Sequence, residues 1–238
     1  LKLSLEKIDS FNFLSRETNI PFMKYHLVKS LEDLEEGLQK LEGLSLAIKP
    51  SVGSGSRGFT IISDKNPTAE NFFAGKKNFN TISIERLKRI IADSSSIPNL
   101  ILMEYLSGIN YDSNILCKKG KILFQSVKTR DKVVNGTITR GKIVDSPEIF
   151  KFNKEIAKAM NTTGYVMVQY IGTKMIELNP RWSTSVNYKN FNEYLMSIEL
   201  ALYGEIRQNI GIYEDYVGTE FYRFFDTISY NENDERLD

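Results

Sequence analysis

The sequence predicts an α/β fold of mainly antiparallel strands with flanking helices. Two observations carry that expectation. Segments with apolar residues at helical spacing, such as Leu31, Leu34, Leu38 and Leu41, are interleaved with short β-type runs. Several of those runs follow one another too closely for a crossover and read as hairpins, as at Lys119-Gly120 and Gly172-Thr173.

In order, Leu5, Ile8, Phe11 and Leu14 predict a helix within residues 3–18, closed by Pro21, and residues 22–28 alternate like a strand. Ser30 caps a helix from Leu31 to about Leu41, with Asp33 at the capping-box position and Gly43 ending it. Residues 45–49 form a short strand, PSVGSGSRG (Pro50 to Gly58) a loop, and Phe59 to Ile62 a second strand. The polar stretch 64–81 reads as a loop, and Ser83 caps a helix that turns Ile84, Leu87, Ile90 and Ile91 inward. Leu100 to Leu106 is a buried strand ending near Glu104, strands follow at 111–118 and 121–128, and 129–145 reads as irregular. A helix opens at Pro147, well suited to a first turn, and runs to Met160. Residues 164–171 form a strand that returns into the stretch beginning at Lys174, a helix spans about 191–203, and a last strand about 218–225.

Composition narrows the chemistry. The 238 residues are 41% hydrophobic and 26% charged with a net charge of +1, an ordinary globular balance with no basic field for nucleic acid or an anionic membrane. Cys117 is the single cysteine, which excludes an internal disulfide and fits a reducing, cytoplasmic setting. No run spans a bilayer and no signal peptide is visible. His26 is the single histidine, so multi-histidine metal sites are excluded by count, and it reads as a strand-edge residue. The first residue is Leu1, from which a fragment of a longer chain is expected.

The stretch KMIELNPRWSTS, Lys174 to Ser185, concentrates the chemistry. Glu177, Asn179 and Arg181 recur at every second position, on one face of a strand otherwise built from Met175, Ile176 and Leu178. Polar groups there need partners. A carboxylate and an amide oxygen suit Mg²⁺, with Arg181 meeting a phosphate that the metal carries; a buried Glu177–Arg181 ion pair capped by Asn179 serves equally well. A hairpin loop of three residues seats Gln169 opposite Glu177, whereas a loop of two does so only with a bulge. In PSVGSGSRG the strand–loop–strand setting and the lack of a Gly-Lys-Ser/Thr ending argue against a Walker loop. Its glycines can lay backbone N–H groups on phosphate or form a surface hairpin, and Lys49 before it reaches a phosphate or is solvated.

Four segments in order, AIKPSVGSGSRGFTII (47–62), LILMEYLSG (100–108), GYVMVQY (164–170) and IELNPRWS (176–183), resemble the ATP-grasp superfamily, and within it the branch of the carbamoyl-phosphate synthase large chain. GTEFYRFFD (218–226) resembles the end of that branch. The resemblance implies a leading helix (1–21), a lid (22–102) and a body (103–238) with the nucleotide and metal site. It implies ATP bound by Lys49, by Ser54, Gly55, Ser56 and Arg57 of the loop, by Glu104 with the backbone of Tyr105 and Leu106, and by Asn110 at the ribose. Gln169, Glu177 and Asn179 would hold Mg²⁺, which Mn²⁺ can replace, and Arg181 would stabilise the transferring phosphoryl group.

The implied activity is ATP-dependent ligation of a small-molecule carboxylate to an amine through an acyl phosphate, or nucleotide binding without turnover. Lys128, Arg130 and Thr137 are assigned to substrate, with solvated loop residues as the competing reading. Three departures from the family pattern stand out. Asn110 replaces the acid that grips the ribose, Ile138 replaces a histidine of the bicarbonate segment, and the chain starts where the usual front lobe would end.

Overall fold

The computed structural model describes residues 7–52, 58–64, 81–134, 136–182, 187–188 and 191–224. The loop tip at 53–57, which includes Ser54, Gly55, Ser56 and Arg57, the stretch 65–80 and the tail from 225 lie outside the described residues. In chain order the elements are α1 (Lys7–Glu17), β1 (Tyr25–Val28), α2 (Leu31–Lys40), β2 (Leu46–Pro50), β3 (Thr60–Ile62), β4 (Thr81–Ile82), α3 (Ile84–Ala92), β5 (Leu100–Glu104), β6 (Asn110–Lys118) and β7 (Lys121–Thr129). There follow β8 (Lys132–Val134), β9 (Thr137–Lys142), α4 (Pro147–Ala159), β10 (Gly164–Ile171), β11 (Lys174–Asn179), β12 (Asn187–Tyr188), β13 (Phe191–Asn192), α5 (Glu193–Tyr203), a 3₁₀ helix (Ile210–Tyr216) and β14 (Glu220–Tyr222).

The first five strands make one sheet in the order β1-β5-β2-β3-β4, antiparallel except for β3 with β4. Alternation along its strands divides two cores. Leu46, Ile48 and Leu102 face outward under α2 and α3, where Leu34, Leu41, Leu87 and Ile91 are buried. Ala47, Ile101 and Met103 face inward and join α1 and α4 in the main core. Lys49 follows Ala47 by two positions, so its side chain starts from that inner face. Ile90, expected inward on α3, is instead 47% exposed, because Leu87 and Ile91 already fill the stripe.

Both serine caps form: the Ser30 hydroxyl accepts from Asp33 N–H at 3.1 Å and Ser83 from Arg86 N–H at 3.2 Å. Asp33 reaches back one residue further than a capping box, accepting from Lys29 N–H at 2.8 Å.

The second sheet, β11-β10-β6-β7, is wholly antiparallel. Lys119 and Gly120 close β6 on β7 with φ of 47° and 74°, the left-handed pair that a tight hairpin turn requires. One face packs on α1 and α4 through Ile115, Val127, Val168, Tyr170 and Leu178. The other face carries a row of polar residues directly opposite one another, Lys128, Asp112, Gln169 and Glu177, one from each strand. Residues 129–145, read as irregular, contain β8 and β9, which with β14 make a small sheet. Lys and Arg at alternate positions hid that pattern from a search for apolar runs. The two larger sheets meet where Met175 N–H donates to Pro21 O at 2.8 Å, beside the parallel bridge Phe22–Met175. Among the described residues no helix is long and apolar enough to cross a membrane.

Candidate functional site

The β10–β11 hairpin sets the site. Ile171 pairs with Lys174, so its loop has two residues, yet Gln169 still pairs with Glu177. A bulge between Gln169 and Tyr170 reconciles the two: Tyr170 pairs with Met175, which leaves Ile176 as the extra residue. Without it Glu177 would turn to the core face with Met175, opposite Val168, and Leu178 would turn to the polar face. With it, Glu177 and Asn179 turn to the polar face, and the Ile176 carbonyl lies 3.5 Å from Lys49 Nζ.

A cavity of about 430 Å³ opens here between the two sheets. Its polar wall holds Lys7, Lys49, Arg130, Gln169 and Glu177. The lining also includes Glu104, Tyr105, Leu106 and Asn110, with Phe59 and Met103 among its apolar surfaces. Thus eight of the residues assigned from sequence converge on one space.

Lys49 Nζ stands 3.6 Å from Glu177 Oε2, with side chains 11% and 20% exposed. Burial pushes the Lys49 ammonium below its ordinary pKa and the nearby Lys7 adds to this, while Glu177 opposes them. Asn179 donates its amide N–H to Glu177 Oε1 at 2.9 Å, which turns its own oxygen away for another partner. The partner of Glu177 is therefore Lys49, not Arg181. Arg181 is exposed, with a guanidinium nitrogen donating to the Trp182 carbonyl at 2.9 Å, and does not line the cavity.

Also in the lining, Glu104 receives Lys174 Nζ on both oxygens at 2.9 Å and Lys24 N–H at 3.2 Å. Burial opposes its charge, but these donors prevail and hold its carboxyl below the ordinary value. Asn110 Oδ1 and Arg130 Nε are buried with no hydrogen-bond partner. Both line the cavity, and a ligand hydroxyl and an anion are what such atoms could accept and donate to.

The remaining assignments sit apart. Lys128 is 1% exposed and bonds Glu193 at 2.9 and 3.1 Å, under α5. Glu193 also receives Asn114, Ser126 and Tyr165. Burial opposes that carboxylate, yet Lys128 and these donors hold it below its ordinary pKa. Thr137 is half-buried at the start of β9, outside the cavity lining.

Sequence reading missed Lys7 and Asp112. Lys7 is 7% exposed and lines the cavity, and its signal was a cation four positions before Phe11 on the apolar stripe of α1. Asp112, 2% exposed and 3.3 Å from Arg130, was concealed within an ordinary strand pattern.

The donor chemistry suits a hard cation. Glu177, Asn179 and Gln169 offer oxygens from adjacent strands on one face, with no nitrogen or sulfur ligand among them. Lys7 and Lys49 place positive charge within reach of an anion in the same cavity.

A family model described as ATP-grasp in the biosynthetic pathway with Ter operon matches residues 96–201. No curated protein matches the sequence at a significant level. Among solved structures, an N5-carboxyaminoimidazole ribonucleotide synthetase in complex with ADP superposes with a TM-score of 0.59 at 16% identity, over 83% of this chain and 51% of that one. The biotin carboxylase domain of Hydrogenobacter thermophilus 2-oxoglutarate carboxylase gives 0.59 at 15%, over 92% and 49%. Phosphoribosylamine–glycine ligase from Thermotoga maritima gives 0.57 at 16%, over 84% and 55%.

The fold is ATP-grasp.

The cavity lies between the two sheets of that ATP-grasp fold. The chain spans about half the length of these three structures. They do not single out the carbamoyl-phosphate synthase branch. Phosphoribosylamine–glycine ligase carries a ligase activity in its name, and the synthetase was solved with ADP bound.

Proposed function

We propose that this chain is the nucleotide-binding part of an ATP- and Mg²⁺-dependent ligase that joins a carboxylate to an amine through an acyl phosphate. One observation carries the reading: Lys7 and Lys49 share an ATP-grasp cavity with Glu177 and Gln169, with Asn179 bonded to Glu177 behind them. In this reading Lys7 and Lys49 bind phosphate oxygens as point charges. The desolvation of Lys49 strengthens that attraction, since a buried ammonium exchanges an unfavourable surrounding for a counter-ion.

Glu177, Asn179 and Gln169 hold Mg²⁺, which supplies neutralisation of phosphate charge when bound. Met103, Phe59 and Ile176 enclose the base, and Glu104 with the backbone of Tyr105 and Leu106 orients it. Asn110 accepts from a ribose hydroxyl. Arg130, anchored by Asp112, meets the anionic acceptor. No side-chain nucleophile is required, because the carboxylate oxygen attacks the γ-phosphorus, the bond to the β-bridging oxygen breaks with ADP leaving, and the amine then displaces phosphate. In this reading the part built on the five-stranded sheet acts as the lid and the part built on the four-stranded sheet as the body.

The test is a thermal melt. A ligand that binds only the folded chain adds about 2.7 kcal/mol at a hundredfold excess over its dissociation constant. Mg-ATP should raise the melting temperature, ATP with a chelator should raise it less, and no shift at millimolar Mg-ATP would sink the proposal. The position of Arg181 outside the cavity favours a second reading, a nucleotide-binding module without turnover. A screen for phosphate release across carboxylate and amine pairs separates the two: binding without release in any pair supports the module.

A further inference from the structure

On the outer layer of the five-stranded sheet, away from the nucleotide cavity, β1 and α2 bring together the one histidine of the chain and two carboxylates. His26 Nε2 is buried and makes no hydrogen bond, an arrangement that proteins seldom leave unpartnered. Glu36 Oε2 lies 3.9 Å from it, while Glu36 Oε1 is taken by Lys40. Asp33 stands one helical turn before Glu36 on the same face of α2. One ligand atom from each of the three residues lies within 4.8 Å of the others.

The helix is shaped around the imidazole. A Cβ at Gly37 would meet His26 Cδ2 at 2.7 Å, so this mid-helix glycine is the residue that lets the ring sit against α2 beside Glu36. Glycine there costs helix propensity, and the space it opens is occupied by His26.

We propose that His26, Asp33 and Glu36 form a binding site for a divalent transition-metal ion of the zinc class. An imidazole nitrogen with two carboxylates is a borderline donor set, unlike the all-oxygen set at Glu177. Zinc takes such ligands at about 2.0–2.2 Å, so the three atoms must close toward the ion by roughly an ångström. Glu36, with a side chain 53% exposed, can swing to do so. Water completes the shell on the exposed side. None of the three residues lines the nucleotide cavity, so the site stands independently of the proposed ligase activity. Its effect is to pin the edge strand β1 to α2.

The experiment uses the full chain, stripped of metal and titrated with Zn²⁺ by calorimetry and with Co²⁺ by visible absorption. Because His26 is the only histidine, its ring signals in NMR report ligation without ambiguity. Wild type is expected to take up one equivalent, to shift those signals and to melt higher with Zn²⁺. His26→Gln and Glu36→Gln should each weaken uptake by at least about tenfold, the loss that even an outer partner of a metal site produces. Glu36 is half exposed, so its variant keeps the fold and decides the matter if His26→Gln does not. Glu177→Gln should leave Zn²⁺ uptake unchanged. No uptake by wild type at sub-millimolar metal overturns the proposal. So does unaltered affinity in Glu36→Gln, or loss of uptake in Glu177→Gln instead.

Discussion

Glu177 touches both a cation and an amide, and this decides how its substitution must be read. Glu177→Gln keeps an oxygen for Asn179 but leaves the desolvated Lys49 without its carboxylate. We expect the melting temperature to fall without any ligand, whatever Glu177 does in function. The informative quantity is the Mg²⁺-dependent part of the nucleotide-induced shift, which should vanish in the variant and survive if Glu177 serves only Lys49. Glu193 is expected to be the costlier buried charge. Glu193→Gln strands the Lys128 ammonium among neutral groups and should cost about 3–5 kcal/mol in urea unfolding. Lys128→Met should cost less, since Asn114, Ser126 and Tyr165 still donate to the carboxylate. Equal losses would show that those three donors contribute little. Residues whose chemistry showed as an alternation, Glu177 and Asn179, were legible in the sequence. Lys7, Asp112 and Glu193 were not, because a single charge on an otherwise apolar pattern looks the same whether it faces a cavity, a partner or water.

Glycines test the elements. An exposed mid-helix Gly→Ala ordinarily stabilises by about 1 kcal/mol. Gly37→Ala should reverse that sign, because its Cβ would meet both His26 at 2.7 Å and Leu102 at 3.0 Å. Gly141→Ala is expected to be worse, since its Cβ would meet the Thr129 carbonyl at 2.2 Å, backbone that cannot step aside. Denaturation midpoints of both variants provide the check, and a stabilised Gly37→Ala would contradict the packing described for α2. The capped helices and tight hairpins were readable because their signals are local: a serine, a Lys-Gly pair, a proline at a first turn. The strands β8 and β9 were not, since β8 has only three residues, β9 alternates Arg140 with Lys142, and β9 gains its place by pairing with Phe221, far away in sequence.

Across the whole molecule the two sheets are joined by backbone near Met175 and by the Glu104–Lys174 pair. The Glu104 carboxyl is held below its ordinary value near 4.5, so its stabilising contribution is complete above that value and fades as pH falls through the lower, folded one. Glu104→Gln should therefore flatten the acid limb of a stability–pH curve without altering its slope above pH 6, roughly where carboxylates cease to titrate. An unchanged acid limb would show that the pair does not tie the sheets. The main fold was visible in sequence as four motifs in order, but the meeting of Lys7 with Lys49 was not, because it depends on how α1 lies against the second strand of another layer.

The bulge at Ile176 adds a property of a different kind, one of tolerance to lost residues. Because the turn at Gly172-Thr173 sets the count, a chain lacking Ile176 would form a regular ladder that still seats Glu177 opposite Gln169. A chain lacking Leu178 would carry Asn179 onto the buried face opposite Val168, where an amide has no place. Two deletions only two positions apart should thus differ sharply in soluble yield and melting temperature. Lineages of this sequence drifting by single-codon loss would have one residue in this strand to spare, and it is the one that aims a carbonyl at Lys49.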